Sequence, residues 1–267
     1  MIASLPMYDL PELDAATADW WEGLRRHLAT MGVEGLPARL TRPENPNAHW
    51  MNPDLIFSQT CGYPLTHELA GKVQLLATPR YAAPGCEGAT YVSHVVVRDD
   101  DPARSVADLR GRRAAYNEPN SQSGYNVLRG LAAPLAGGKP FFGATIQSGA
   151  HRRSLAMVRE RAADVAAVDC VTLALIRQAA PREFEGLRVL CASARAPALP
   201  YVTSLRTTPD QVARLCRGLA GACADPALAD ARRALMIAGC EVLPLAAYDE
   251  ILAIERAAVA AGYPELA

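Results

Sequence analysis

The hydroxyls of Ser121 and Ser123, one residue apart and followed by Gly124, are the side chains best suited to binding chemistry in this chain. They lie between a strand pattern and a helix pattern. The first turn of a helix leaves backbone N–H groups unpaired at the positive end of the helix dipole. An oxyanion placed there gains several donors without a formal charge, and glycine permits its close approach. The alternative is that one serine only caps the helix.

His151 follows a second strand pattern and the small residues Ser148, Gly149 and Ala150. A histidine at this position can donate to an oxyanion and change its charge near neutral pH. The alternative is a solvent-exposed histidine beside the basic residues that follow it. If the ligand reading holds, His151 faces the same anion as the two serines.

Three further polar residues end predicted strands. Gln59 and Thr60 close one strand pattern and are expected to complete the site from another part of the chain, although ordinary turn chemistry explains them equally well. Asp169 closes another strand pattern, where it would either bind a cationic part of a solute or cap the helix near Thr172.

Tyrosines at strand ends or at the expected crossings between lobes supply candidate walls for a small pocket. They are Tyr8, Tyr91 and Tyr201. Core packing is the alternative for each of them.

The seven cysteines include no pair at CxxC spacing, and the five histidines do not cluster with them. We therefore expect no zinc site, no other metal and no cofactor, with reduced thiols throughout. Cys61 has no base and orienting residue at a supportive spacing, so we predict no catalytic residues.

Composition excludes several classes of function. The 267 residues are 50% hydrophobic and 21% charged, with a formal net charge of -1, so no global field attracts nucleic acid. No apolar segment reaches the roughly 18 residues that a membrane span requires. The first residues lack the pattern of a signal peptide, so the chain as written is expected in the cytoplasm, or in the periplasm if an export signal has been removed.

Strand patterns alternate with helical periodicity, which predicts an α/β fold. The predicted strands are Ile2–Tyr8, Asp54–Phe57, Val73–Ala77, Tyr91–Arg98, Arg113–Tyr116, Ala144–Gln147, Asp164–Val168, Arg188–Ala192 and Pro200–Arg206. Beyond them the chain is predicted to be helical to its end. Thr208, followed by Pro209 and by Gln211 three residues after the cap, is the predicted start of one helix, and Gly239 is a predicted C-terminal cap. If the C-terminal helices return to the N-terminal part, residues 1–92 and 205–267 form one lobe and residues 93–204 the other. Two strand crossings would then act as a hinge beside an interlobe cleft.

The ordered set of loops at residues 58–65, 108–124 and 148–151 resembles the phosphate- and phosphonate-binding components of ABC importers, which have the type 2 periplasmic-binding-protein fold. Gln122 stands where that family commonly has threonine. The resemblance implies a solute-binding protein, not an enzyme, that captures a small anionic ligand in a closing cleft and delivers it to an ABC permease. The alternative is a cytosolic enzyme on the same scaffold, similar to a menaquinone-pathway dehydratase or a thiamine-pyrimidine synthase.

Overall fold

The computed structural model describes residues 1–267, which divide into two units by their internal contacts. The first unit comprises Met1–Ala82, Glu87–Thr90 and Pro197–Ala247. The second comprises Ala83–Cys86, Tyr91–Ala196 and Tyr248–Ala267. The predicted α/β class is confirmed.

Twelve strands and nine α-helices are present. The strands are β1 (Ile2–Ser4), β2 (Leu55–Gln59), β3 (Val73–Tyr81), β4 (Thr90–Tyr91), β5 (Ser93–Arg98), β6 (Arg113–Tyr116), β7 (Ala144–Gln147), β8 (Val165–Asp169), β9 (Leu187–Ala192), β10 (Ala196–Pro197), β11 (Tyr201–Ser204) and β12 (Ile237–Glu241). The helices are α1 (Asp14–Thr30), α2 (Pro46–Trp50), α3 (Gly62–Thr66), α4 (Val127–Ala136), α5 (His151–Arg159), α6 (Cys170–Ala179), α7 (Pro209–Ala224), α8 (Ala229–Ala234) and α9 (Asp249–Ala260).

The first unit has a five-stranded sheet in the order β1-β2-β11-β3-β12. Strands β1 and β2 are parallel, whereas β11 runs antiparallel to both of its neighbours. Helices α1 and α7 pack against each other, and Gly218 allows the close approach because an added Cβ would meet Leu28 Cδ2 at 2.7 Å and its backbone Cα at 3.0 Å. As predicted, Thr208 caps α7 and forms a capping box with Gln211.

The second unit also has a five-stranded sheet, in the order β7-β6-β8-β5-β9. Strands β7, β6 and β8 are mutually parallel, and β5 runs antiparallel to β8 and β9. Every residue of β8 is buried, as expected for a central strand covered on both faces. Three consecutive parallel strands therefore end at one edge of this sheet, and each leads into a helical turn.

The C-terminal region differs from the sequence prediction in two respects. The chain is not helical to its end, because β12 adds an edge strand to the first sheet; Gly239, with φ +155°, lies inside β12 and does not cap a helix. The last helix, α9, packs on α4 and belongs to the second unit. The predicted placement of residues 248–267 in the first lobe is therefore wrong, and residues 197–204 belong to the first unit, not to the second.

No helix has the combination of length and apolar character needed to cross a membrane.

Candidate functional site

Three helical turns begin at the carboxyl edge of the parallel strands in the second unit. Strand β6 leads through a short loop to a π-helical turn, Gln122–Asn126, that continues into α4, while β7 leads to α5 and β8 leads directly to α6. This edge is where ligands bind in open α/β sheets, since helix N-termini present unpaired N–H groups there. Most of the predicted ligand residues of the second unit lie at this edge.

Four of the predicted ligand residues meet at the first two of these turns, in what we call the cradle: Ser121, Ser123, Gly124 and His151. Ser123 Oγ lies 2.8 Å from His151 Nε2 and 3.5 Å from Ser121 Oγ. The backbone N–H of Gly124 donates to Ser121 Oγ at 3.1 Å, so Ser121 caps the π-helical turn. Both serines are buried. The capping alternative thus holds for Ser121, whereas the Ser123 hydroxyl is engaged by histidine.

Desolvation lowers the pKa of His151 to about 4, and the backbone of Ala167 opposes this shift only in part. The imidazole is consequently neutral at neutral pH. The prediction that this residue changes charge near neutral pH is therefore wrong for the ligand-free chain. A neutral ring next to Ser123 still offers one donor or one acceptor, depending on its tautomer.

The cradle requires glycine at position 124, because this residue packs closely against Asn117. A Cβ added there would lie 2.0 Å from Asn117 Oδ1 and 3.3 Å from the Asn117 backbone nitrogen. Asn117 Oδ1 is itself buried and has no hydrogen-bond partner. Such an acceptor is costly to leave unpaired, because burial has removed its hydrogen bonds to water. Asn117 was not among the predicted site residues, although its position directly after β6 was an available signal.

Backbone hydrogen bonds hold the loops after β6 and β7 together. The N–H of Ser148 donates to Tyr116 O at 2.8 Å, and the N–H of Gly149 donates to Asn117 O at 2.9 Å. Ser148 Oγ also lies 2.7 Å from Ser154 Oγ on α5. The two loops that carry Ser123 and His151 are thereby fixed relative to each other.

Gln122, which stands in the family's threonine position, is held by a buried polar network beneath the cradle. Its Oε1 accepts from Asn126 Nδ2 at 2.5 Å, and the same amide nitrogen donates to Ile251 O at 3.2 Å. Arg129 donates to Asn126 Oδ1 at 2.6 Å and to Glu255 Oε1 at 3.2 Å. No local sequence pattern predicts this network, because it depends on the packing of α9 against α4.

Three predicted residues of the first unit border a cavity of about 30 Å³: Tyr8, Gln59 and Tyr201. Gln59 Nε2 donates to Tyr81 Oη at 2.9 Å and to Leu199 O at 3.0 Å. Tyr8 packs edge-to-face on Tyr81 with ring centroids 5.2 Å apart. Burial raises the pKa of Tyr201 well above its ordinary value, so its phenol stays protonated. The cavity is large enough for one or two small atoms or a water.

The remaining predicted residues have structural partners. The N–H of Thr60 donates to Pro200 O at 3.0 Å, and its hydroxyl donates to Cys61 O at 3.3 Å. Asp169 accepts from the backbone N–H groups of Val171 and Thr172 at 2.7 and 2.9 Å, so it caps α6, the alternative kept open for it.

Tyr91 is 2% exposed and belongs to the second unit, whereas Tyr8 and Tyr201 belong to the first. No group of three or more His, Cys, Asp or Glu side chains is arranged to hold a metal ion. The site residues therefore form a polar cradle in the second unit and an aromatic cavity in the first.

Comparison with known families identifies the chain. Residues 52–247 match the family described as the phosphonate ABC transporter periplasmic substrate-binding proteins. The chain belongs to this family. Its members are substrate-binding components and not enzymes, so the family resemblance seen in the loops is confirmed and the enzyme alternative is not favoured.

Solved structures share the fold of this phosphonate-binding family member at low sequence identity. PhnD1 from Prochlorococcus marinus, in complex with methylphosphonate, aligns with a TM-score of 0.77 at 14% identity, covering 96% of both chains. A binding component of an ABC phosphonate transporter from Pseudomonas aeruginosa aligns with a TM-score of 0.76 at 16% identity, covering 98% of this chain and 88% of the other. A Xanthomonas citri protein bound to ATP aligns with a TM-score of 0.71 at 16% identity, covering 97% of each chain. A search of curated protein sequences returned no match.

Proposed function

We propose that the chain captures a small phosphorus oxyanion, a phosphonate or phosphate, in the cradle of its second unit and delivers it to an ABC permease from the periplasm. The observation that carries this proposal is the contact between Ser123 and His151 at the start of two adjacent helical turns. Family membership supports the transport role, and the methylphosphonate complex of a protein with the same fold supports the ligand class.

The cradle suits an oxyanion because it combines hydroxyl and backbone donors in a desolvated place. Ser121 and Ser123 supply hydroxyls, and the first residues of the π-helical turn and of α5 supply N–H groups. Hydrogen bonds to a charged acceptor are roughly twice as strong as neutral ones. An anion bound here is held by several directed donors.

Asn117 favours a phosphorus oxyanion over sulfate. Its Oδ1 is a buried acceptor without a donor, and it lies against Gly124 of the cradle. Phosphate and phosphonates carry a proton on one oxygen over much of the neutral range and can donate to this atom, whereas sulfate has no proton to donate. A site with such an acceptor rejects an analogue that leaves it unpaired.

Gln59, Thr60, Tyr8 and Tyr201 of the first unit stay candidate ligand contacts. Three of them border the cavity of about 30 Å³ in that unit. Tyr91 is kept as a candidate contact of the second unit. Asp169 is a weaker candidate, since its carboxylate already caps α6.

Isothermal titration calorimetry with methylphosphonate, phosphate, sulfate and acetate tests the proposal. We expect binding of a phosphorus oxyanion, and Ser123→Ala should weaken it about 10- to 100-fold because one hydrogen bond to a charged group is lost. Ser193→Ala is the matched control, since its hydroxyl donates to Ala194 O and accepts from the Ser93 N–H, both outside the cradle. No binding of any phosphorus oxyanion would sink the proposed function. Equal effects of the two substitutions would place the ligand elsewhere.

A further inference from the structure

Two cysteines that are far apart in sequence meet in the second unit. Cys86 Sγ lies 3.6 Å from Cys170 Sγ, and 84 positions separate the two residues along the chain. Cys86 ends the short segment 83–86, and Cys170 is the first residue of α6. The two thiols are in van der Waals contact without any change of fold.

The backbone geometry of the segment holds this contact. Gly85 has φ +103°, a left-handed conformation that favours glycine. A Cβ added at Gly85 would lie 3.2 Å from Cys170 Cβ and 3.3 Å from Cys170 Sγ. The segment therefore runs directly against the start of α6. A shift of roughly 1.5 Å in sulfur separation would bring the pair to bonding distance.

We propose that Cys86 and Cys170 form a disulfide when the chain is in an oxidising compartment. The contact between the two sulfur atoms carries this inference, which does not depend on the identity of the ligand. It revises the expectation of reduced thiols, since the family is periplasmic and that compartment is oxidising.

The reaction requires a disulfide oxidant, for which oxidised glutathione is a suitable reagent. The Cys86 thiol loses its proton, and the thiolate attacks one sulfur of the oxidant, forming a mixed disulfide and releasing one glutathione thiolate. Cys170 then loses its proton and attacks Cys86 Sγ, releasing the second glutathione. The protein loses two hydrogen atoms, and one oxidised glutathione becomes two reduced ones.

The environments of the two thiols fit this order of attack. Cys86 is partly exposed whereas Cys170 is 1% exposed, so only Cys86 is open to the oxidant. A hydrogen bond from Cys170 lowers the pKa of the Cys86 thiol, which favours the attacking thiolate. The same contact and burial raise the pKa of Cys170, so this thiol stays protonated in the first step and does not compete with Cys86 for the oxidant.

Peptide mapping under non-reducing conditions tests the disulfide directly. The full chain, reduced and then equilibrated with oxidised glutathione, is alkylated, digested and analysed by mass spectrometry. We expect a cross-linked pair of peptides containing Cys86 and Cys170, absent from Cys86→Ser and from Cys170→Ser. Cys191→Ser is the matched control, because this half-buried cysteine has no thiol contact and its loss should leave the cross-link intact.

Cys223 and Cys240 hydrogen-bond to each other in the first unit, and mapping separates their behaviour from that of the proposed pair. Oxidation of Cys86 and Cys170 should also raise the melting temperature by about 5–15 °C, because the bond closes a long loop. Cys86→Ser should abolish this rise. A second sample is refolded from urea in the same redox buffer, so that both thiols are accessible. The inference is overturned if Cys86 and Cys170 remain alkylated as free thiols in both samples.

Discussion

Arg129 is the centre of the polar network that joins the cradle to the C-terminal helix, and its removal should destabilise the second unit strongly. The residue is 4% exposed. Its Nη2 donates to Asn126 Oδ1 at 2.6 Å, and its Nη1 donates to Glu255 Oε1 at 3.2 Å and to Pro264 O at 2.9 Å. It also stacks over Tyr125, 5.6 Å from the ring centroid.

The magnitude follows from what Arg129→Met leaves behind. Methionine replaces the apolar stem, so the principal loss is electrostatic. Asn126 Oδ1 and Pro264 O lose a charged donor, and the carboxylate of Glu255, whose side chain is 25% exposed, loses its ion pair with Arg129. Hydrogen bonds to charged groups contribute about 1.5–3 kcal/mol, and breaking one side of a buried ion pair costs about 3–5 kcal/mol. We expect the free energy of unfolding to fall by about 3–4 kcal/mol.

Urea unfolding at pH 7, followed by circular dichroism, measures this loss and can be extended to a double-mutant cycle. Glu255→Gln removes the charge of the partner, so the double variant should lose about 1–2 kcal/mol less than the sum of the two single variants. Arg153→Met is the matched control, because its ion pair with Glu160, the residue that follows α5, is about half exposed on both sides, at 56% and 50%. Such surface pairs contribute about 0–1 kcal/mol.

Two results would refute the reasoning. If Arg129→Met reduces the free energy of unfolding by no more than Arg153→Met does, the buried network does not hold α9 against α4. If the two substitutions of the cycle are additive within about 0.3 kcal/mol, Arg129 and Glu255 do not interact energetically.

Three further substitutions test the cradle and its supporting sheet. Gly124→Ala would place a methyl group 2.0 Å from Asn117 Oδ1. We expect the affinity for methylphosphonate, measured by calorimetry, to fall more than 10-fold, which is about 1.4 kcal/mol. An unchanged affinity would contradict the close packing of Gly124 against Asn117 as a requirement of the cradle. The pKa of His151 is about 4 in the folded chain, whereas an unfolded histidine protonates near pH 6.5. The free energy of unfolding of the wild type should therefore fall by up to about 3 kcal/mol as the pH is lowered from about 6.5 to about 4. Urea titrations of His151→Gln should lack this part of the pH dependence, and an equal pH dependence in both proteins would contradict the burial of a neutral His151. Arg113 lowers the pKa of Asp164 to about 2, so Asp164→Asn should reduce the free energy of unfolding by about 2 kcal/mol at pH 7. This reduction should shrink as the pH falls through the folded pKa of Asp164. Thermal melts that show the same reduction at every pH would contradict the ion pair's contribution.

Local sequence signals were sufficient where neighbours along the chain determine the structure. The predicted bounds of β6 (Arg113–Tyr116) and β7 (Ala144–Gln147) match the structure, because each short run ends directly before a loop of small and polar residues. Thr208 was recognised as a helix cap from its own spacing to proline and glutamine. The positions of Ser121, Ser123 and His151 after strands also placed them correctly at the carboxyl edge of a sheet.

Local sequence patterns gave wrong predictions where the structure of a residue depends on distant parts of the chain. Gly239 resembles a helix cap locally, but β12 pairs with β3, which overrides the local preference. The side chain of His151 is typical of a residue that titrates near neutral pH, yet its burial lowers the pKa to about 4. Neither the pairing of an edge strand nor the desolvation of one ring is encoded in the adjacent residues.

The cradle is fixed from two sides, and this explains why affinity should respond to distant changes. On one side, Gly124 permits the backbone of the π-helical turn to lie against Asn117. On the other, the amides of Gln122 and Asn126 connect that turn to Arg129 and through it to α9. Donors whose positions are set before the ligand arrives lose less conformational freedom on binding. Loosening the network beneath the cradle should therefore weaken anion binding even when the hydroxyls of the cradle are unchanged.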